Sequence, residues 1–222
     1  MYTNTRKRIA LVVLGLIAAS STLVAQQYDF QVGQLYYKIT DATNRKVAIV
    51  PENSDYPYYN NVPTGAITIP ATVANGGNTY SVTSIGKSAF SRCNSLTSID
   101  IPNSITSIGQ WAFSGCSGLT SINIPSSVTS IEGWAFSGCS GLRNVVIPGR
   151  INFKDNFSTT SNIDTVIISN GSTTIPNSSF QRCSKIKYIS IPNSVTKIEK
   201  SAFSGCSGLT SINIPSSVTS IE

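Results

Sequence analysis

Phe90, Phe113 and Phe136 stand 23 residues apart, and so do Phe180 and Phe203. Cys93, Cys116 and Cys139 keep the same interval, as do Cys183 and Cys206. Pro102, Pro125 and Pro148 share it, and Pro192 and Pro215 repeat it. The unit behind this spacing reads Leu-Thr-Ser-Ile-x-Ile-Pro-x-Ser-Val-Thr-Ser-Ile-x-x-x-Ala-Phe-Ser-Gly-Cys-Ser-Gly. One such unit is too small to bury both of its sides, so units must stack and share a continuous core. The expected fold is a repeat solenoid with a 23-residue period, mainly β, with short helical or 3₁₀ turns.

Alternation assigns the elements inside the unit. In Leu96-Thr-Ser-Ile99-Asp-Ile101, Ile99 and Ile101 share one side of an extended segment and are expected to point inward. Pro102 ends that strand because it has no N–H for a ladder. Ile105-Thr-Ser-Ile108 makes a second short extended stretch, and Ala112-Phe113 begins a tight turn whose Phe plugs the core. Two places break the rhythm. Leu142 to Ile163 is 21 residues, and Gly149-Arg-Ile-Asn-Phe-Lys-Asp-Asn-Phe157 replaces the Ala-Phe-Ser-Gly-Cys block. An irregular coil is expected there, with Phe153 or Phe157 in the vacant core position. Ile67-Thr-Ile69-Pro70 precedes Ile99-Asp-Ile101-Pro102 by 32 residues, and the insert falls around Val73–Tyr80, where Asn-Gly-Gly-Asn reads as a hairpin turn.

The chain divides into three segments. Residues 1–25 have the layout of a secretory signal peptide: basic Arg6-Lys7-Arg8, an apolar run from Ile9 to Ala19, then small residues to Ala25. That run falls short of the roughly 20 residues a spanning helix needs, so no membrane span is expected after cleavage. Residues 26–63, with strand-like Gly33–Ile39 and Lys46–Val50, are expected to cap the open end of the core. Residues 64–222 carry the repeats. Ala112–Glu132 recurs identically as Ala202–Glu222, where the last repeat is incomplete, and the natural protein is expected to continue.

Composition narrows the chemistry. There is no histidine, so Ser–His and Cys–His nucleophile pairs cannot form and the commonest metal ligand is missing. Carboxylates are few and scattered, and no phosphate loop, zinc spacing or nucleophile elbow occurs. Neither catalysis nor a metal or cofactor is expected. Without Arg6, Lys7 and Arg8 the net charge falls from +6 to +3, which does not point to nucleic acid or an anionic membrane.

The unit resembles the BspA-type leucine-rich repeats of bacterial surface proteins. The resemblance rests on Leu119-Thr-Ser-Ile-Asn-Ile-Pro-Ser-Ser-Val-Thr-Ser-Ile131 and Ala135-Phe-Ser-Gly-Cys139, and the lead-in Tyr28-Asp-Phe…Leu35-Tyr-Tyr-Lys-Ile39 is similar to that of proteins from Bacteroides-like bacteria. It covers roughly residues 28 to 222. It implies surface exposure and, in some members, adhesion to host matrix proteins or to other bacteria. The expected function is therefore a secreted or cell-surface protein that presents its repeats to protein partners. The alternative is an envelope structural or carbohydrate-capturing protein without a host partner.

Candidate sites follow from the positions between the inward ones. The expected partner-binding face comprises Asp100, Asn123, Arg143, Asn144, Val146, Lys187, Tyr188, Ser190 and Asn213, with Thr-Ser pairs such as Thr97-Ser98 filling the rest. Arg143, Lys187 and Tyr188 break the Thr-Ser monotony and place the partner on the middle coils. Trp111 and Trp134, one repeat apart, form an aromatic ridge that either binds a sugar or a partner, or simply packs on itself. Arg182, Lys185, Lys187, Lys197 and Lys200 read as a loose basic cluster, for acidic glycans or for solubility. The five cysteines occupy one inward turn position and read as buried structural thiols, with disulfides between neighbouring coils as the alternative.

Overall fold

In the computed structural model, which describes residues 27–157 and 162–222, each repeat unit forms one coil built from short strands and a turn. The expected signal peptide lies outside the described residues. The described chain opens with an antiparallel meander of β1 (Phe30–Val32), β2 (Leu35–Asp41) and β3 (Lys46–Val50). Coil 1 supplies β4 (Gly65–Thr68), β5 (Thr72–Asn75) and β6 (Asn78–Ile85). β5 and β6 form the hairpin read from Asn-Gly-Gly-Asn, with Gly76 and Gly77 at φ 56° and 77° in a two-residue turn that demands positive φ. β3 pairs in parallel with β6, so the meander continues a solenoid sheet.

Coils 2 and 3 provide β7 (Leu96–Asp100), β8 (Ser107–Ile108), β9 (Ser121–Asn123) and β10 (Ser130–Ile131). Coil 4 provides β11 (Asn144–Ile147) and α1 (Phe153–Phe157), the one helix among the described residues. Coils 5 to 7 provide β12 (Thr165–Ile168), β13 (Thr174–Ile175), β14 (Tyr188–Ser190), β15 (Lys197–Ile198), β16 (Ser211–Ile212) and β17 (Ser220–Ile221).

Two faces result. On the first, β4 pairs with β7, and β9, β11, β12, β14 and β16 follow one another in a parallel sheet. On the second, β8 and β10 extend the sheet begun by the meander, while β13, β15 and β17 form a separate one. The second face is broken at coil 4, where Ile151 still points inward but the chain turns into α1.

The turns carry single i→i−3 hydrogen bonds, such as Ala112 N to Gly109 O (3.2 Å) and Cys116 N to Phe113 O (3.1 Å), and they deliver one Phe per coil to the axis. Phe90, Phe113 and Phe136 stack at 5.3 and 5.1 Å, and Phe180 and Phe203 at 5.5 Å. Coil 4 uses both of its candidates. Phe157 lies 4.6 Å from Phe136, Phe153 lies 5.1 Å from Phe180, and the two are 4.8 Å apart. One turn of helix puts residues i and i+4 on the same face, so α1 lays two rings in line with the column. The shorter unit thus loses its second strand and gains a ring.

Candidate functional site

Pleating decides which side chains leave the core. In β11, Val145 and Ile147 are buried while Asn144 is exposed and Val146 half-buried. Parallel register then aligns the outward positions of successive coils. One row runs Ser121, Asn144, Thr165, Tyr188, Ser211, and the next runs Asn123, Val146, Ile167, Ser190. Arg143 and Lys187 immediately precede β11 and β14, and the Arg143 guanidinium donates to the carbonyl of Ser140 at 2.9 Å. The structure therefore brings Asn123, Arg143, Asn144, Val146, Lys187, Tyr188 and Ser190 onto one face, with Asn213 just past β16 at its edge. Asp100 belongs to the same face through β7, which pairs with β4 and lies against β9 without a continuous ladder.

Sequence reasoning missed Ile167. In Thr165-Val-Ile-Ile168, alternation sends Val166 and Ile168 inward and leaves Ile167 41% exposed. A run of three aliphatic residues hides this, but aligning the units does not: Asn123 and Ser190 occupy the same outward row. Ile167 is a diagonal neighbour of Tyr188, which is 48% exposed. Together with Val146 they form an apolar centre, rimmed by Arg143, Asn144, Lys187 and Ser190, on a face otherwise made of Ser, Thr and Asn.

The ridge is formed as well. The Trp111 and Trp134 rings are nearly parallel, 6.2 Å between centroids and 19° between planes. Trp111 is half-buried, and Trp134 is 52% exposed. The basic cluster is divided: Arg182 and Lys185 line one hollow with Lys154 of α1. Lys187 lies on the first face, whereas Lys197 lies on β15 of the second, bound to Glu222 at 3.0 Å and Glu199 at 3.7 Å. Residues ten apart in one coil fall on opposite faces, which their proximity in sequence conceals. At the break in the second face there is a polar hollow of about 460 Å³ bounded by Ser126, Arg150, Asn170, Ser172 and Thr174. Its walls are tied to each other, with Arg150 donating to Ser126 O (2.5 Å) and Ser172 Oγ accepting from Gly149 N (2.7 Å).

All five cysteines are free thiols, and Cys93, Cys116 and Cys139 are fully buried. Three thiols turn to the carbonyl of a Phe one coil back, Cys116 to Phe90 at 3.0 Å, Cys139 to Phe113 at 3.1 Å and Cys206 to Phe180 at 3.0 Å, whereas Cys183 faces Gln181 O of its own turn at 3.9 Å. Burial pushes the Cys93 and Cys139 thiols up from 9.0 to about 12 and Tyr37 from 10.0 to about 12. The folded chain holds these protons where the unfolded chain releases them. Stability is therefore unaffected by these groups below pH 9.0 and falls as pH rises from there toward about 12. Urea unfolding from neutral to alkaline pH measures the decline, and a flat profile contradicts it. At neutral pH a thiol reagent leaves Cys93, Cys116 and Cys139 unmodified until the chain is denatured.

Among the described residues, no three His, Cys, Asp or Glu side chains converge on a point that could hold a metal, and no helix is long and apolar enough to cross a membrane.

The profile of the BspA type leucine-rich repeat region matches the chain in six copies, over residues 54–185 and 152–222. No match to a curated protein is found. The chain is similar to the solved structure of a leucine-rich cell surface protein from Faecalibacterium prausnitzii, at 31% identity and a TM-score of 0.55, over 86% of this chain and 49% of that one. It thus spans about half the length of that protein. It is similar to the T. pallidum leucine-rich repeat protein at 25% identity and a TM-score of 0.57, over 79% of this chain and 77% of that one. A leucine-rich repeat protein from Bacteroides capillosus is 26% identical with a TM-score of 0.53, over 64% of this chain and 98% of that one. The matched residues contain the stacked coils and their columns of Ile, Leu and Phe, and the chain belongs to the BspA-type leucine-rich-repeat family.

Proposed function

We propose that this chain is an exported surface protein that binds a protein partner on its first face, acting by binding and not by catalysis. The observation that carries this reading is the apolar centre of Val146, Ile167 and Tyr188 within a polar rim. Parallel pairing of β11, β12 and β14 fixes the spacing of these side chains, so little order is lost when a partner docks. Aromatic residues and Arg at a patch centre, surrounded by polar groups that exclude water, are the usual makeup of a binding hot spot. Export is supported by the leader-like residues 1–25 and by the similarity to the Faecalibacterium cell surface protein. A host matrix protein or another bacterial surface protein is the partner class, and adhesion the role.

Two variants test the placement. Exchanging Arg143, Lys187 and Tyr188 together for Ser, or Ile167→Ser alone, is expected to weaken capture of matrix or bacterial surface proteins about tenfold or more. All four side chains point away from the core, so Tm is expected to stay within a few degrees, roughly the effect of surface substitutions. Unchanged binding by both variants rejects this face.

A further inference from the structure

A strip of aromatic rings, exposed at Tyr56 and Trp134 and half-buried at Tyr58 and Trp111, runs along the turn side of the first coils, from the loop after β3 to the break at coil 4. Tyr56 is 68% exposed and meets Tyr58 edge to face at 6.2 Å. Two clefts, of about 250 and 230 Å³, share Tyr58 and Trp111 as walls. Tyr56, Ser91 and Arg92 complete the first, and Gln27, Ser54, Asp55 and Lys87 border the second. Trp134 stacks beyond Trp111 and ends the strip.

Packing covers the indoles only in part: they stack on each other and Trp111 is half-buried, but Trp134 stays 52% exposed. Trp111 and Trp134 have φ of 55° and 58°, a left-handed conformation that bulky residues rarely adopt. Ser88, Ser178 and Ser201 hold the equivalent turn at φ 55–56°, so the turn does not need a ring. Strained aromatic residues kept at a solvent-facing position point to a ligand. Coil 4 explains the exposure of Trp134. α1 replaces the strand that would cover β10, and the edge from Ser130 to Trp134 is more open than the equivalent edge of coil 2.

We propose that this strip binds a neutral, linear oligosaccharide. A pyranose presents a flat face of C–H bonds that lies against an aromatic ring, and hydroxyls at its rim that need donors and acceptors. Aromatic walls with a few convergent polar groups meet both needs. Tyr56 and Trp134 offer ring surface, while Asp55, Ser54 and Gln27 supply the polar groups. Charge selects the neutral class. Lys87 Nζ sits 5.2 Å over Trp111 and the Arg92 guanidinium 4.7 Å over Tyr56, so both cations already face rings. The Asp55 carboxylate borders one cleft and the Glu132 carboxylate accepts from Gln110 N, next to Trp111, at 2.9 Å, so the two cations are balanced and the strip offers no net positive charge to a sulfated or acidic sugar. The strip lies on the turns and shares no residue with β11, β12 or β14.

Titration of the whole chain with cellohexaose, xylohexaose and chitohexaose, followed by tryptophan emission and calorimetry, tests this, with a heparin hexasaccharide as the charged contrast. At least one neutral hexaose is expected to bind and shift the emission. Trp134→Ser and Tyr56→Ala are each expected to weaken it about tenfold or more. Trp134→Ser installs the residue that coils 1, 5 and 6 carry in this turn, so its Tm is expected to hold. Tyr188→Ser is expected to leave sugar binding unchanged. The proposal is overturned if no neutral hexaose binds, if only the sulfated sugar binds, or if both strip variants bind as the parent does.

Discussion

Phe113→Ala is expected to lower the unfolding free energy by about 3–5 kcal/mol, the range for deleting a buried phenyl ring. The ring has no exposed surface and is stacked on both sides, at 5.3 Å from Phe90 and 5.1 Å from Phe136. The space it leaves cannot close easily. The spacing of the coils is set by inter-coil hydrogen bonds, including Phe113 N to Ala135 O (2.8 Å) and Phe90 N to Ala112 O (2.6 Å). Neighbouring rings held at that spacing cannot collapse into the gap, so the cavity cost adds to the lost burial. Phe203→Ala provides the contrast. That ring is half-buried and is stacked on Phe180 alone among the described rings, and its loss is expected to cost about 1–2 kcal/mol, below the value for full burial. Urea unfolding of the two variants measures the difference, and equal losses contradict the column as the main source of cohesion.

Gly118→Ala is expected to cost about 1–3 kcal/mol through overpacking. A methyl group on Gly118 would stand 2.5 Å from the Asn94 carbonyl oxygen and 2.9 Å from that of Leu96. Both obstacles are backbone atoms of the coil below, so no side chain can rotate away. Gly141 and Gly208 meet the same arrangement one and four coils along. Gly133→Ala is the counterpart. Nothing lies within 4 Å of the added methyl and the backbone is not left-handed, so this change is expected to be neutral or to stabilise by about 0.4–1 kcal/mol through the unfolded chain. Thermal melts that rank Gly118→Ala above Gly133→Ala contradict the close approach of the turns.

The features that repeat were legible before the structure. Ile99 and Ile101 point inward, Ile105 and Ile108 follow on a second wall, and Phe90, Phe113 and Phe136 reach the axis. Each depends on alternation within one unit and on the 23-residue interval between units. The hairpin at Gly76-Gly77 was legible too, since its turn chemistry is local. Irregular coil 4 was foreseen as irregular, but its solution was not. Choosing Phe153 or Phe157 assumed one ring per coil, whereas a helical turn accommodates both.

The candidate face was legible in outline. Arg143, Lys187 and Tyr188 stand out against Thr-Ser repeats, but Ile167 does not, because an aliphatic residue beside two others reads as core. Only register across three coils shows that it shares a row with Asn123 and Ser190. Lys187 and Lys197 are the opposite case, since they are close along the chain but lie on different faces.

The sequence by itself determined the stacking, the identity of the core columns and the placement of the turns, because these follow from a 23-residue period and from alternation within a unit. Tertiary structure alone decided where the sheets break, which outward residues become neighbours, and how far Trp134 is uncovered. Those outcomes depend on hydrogen bonds between coils and on what the adjoining coil fails to cover, and no single unit carries that information.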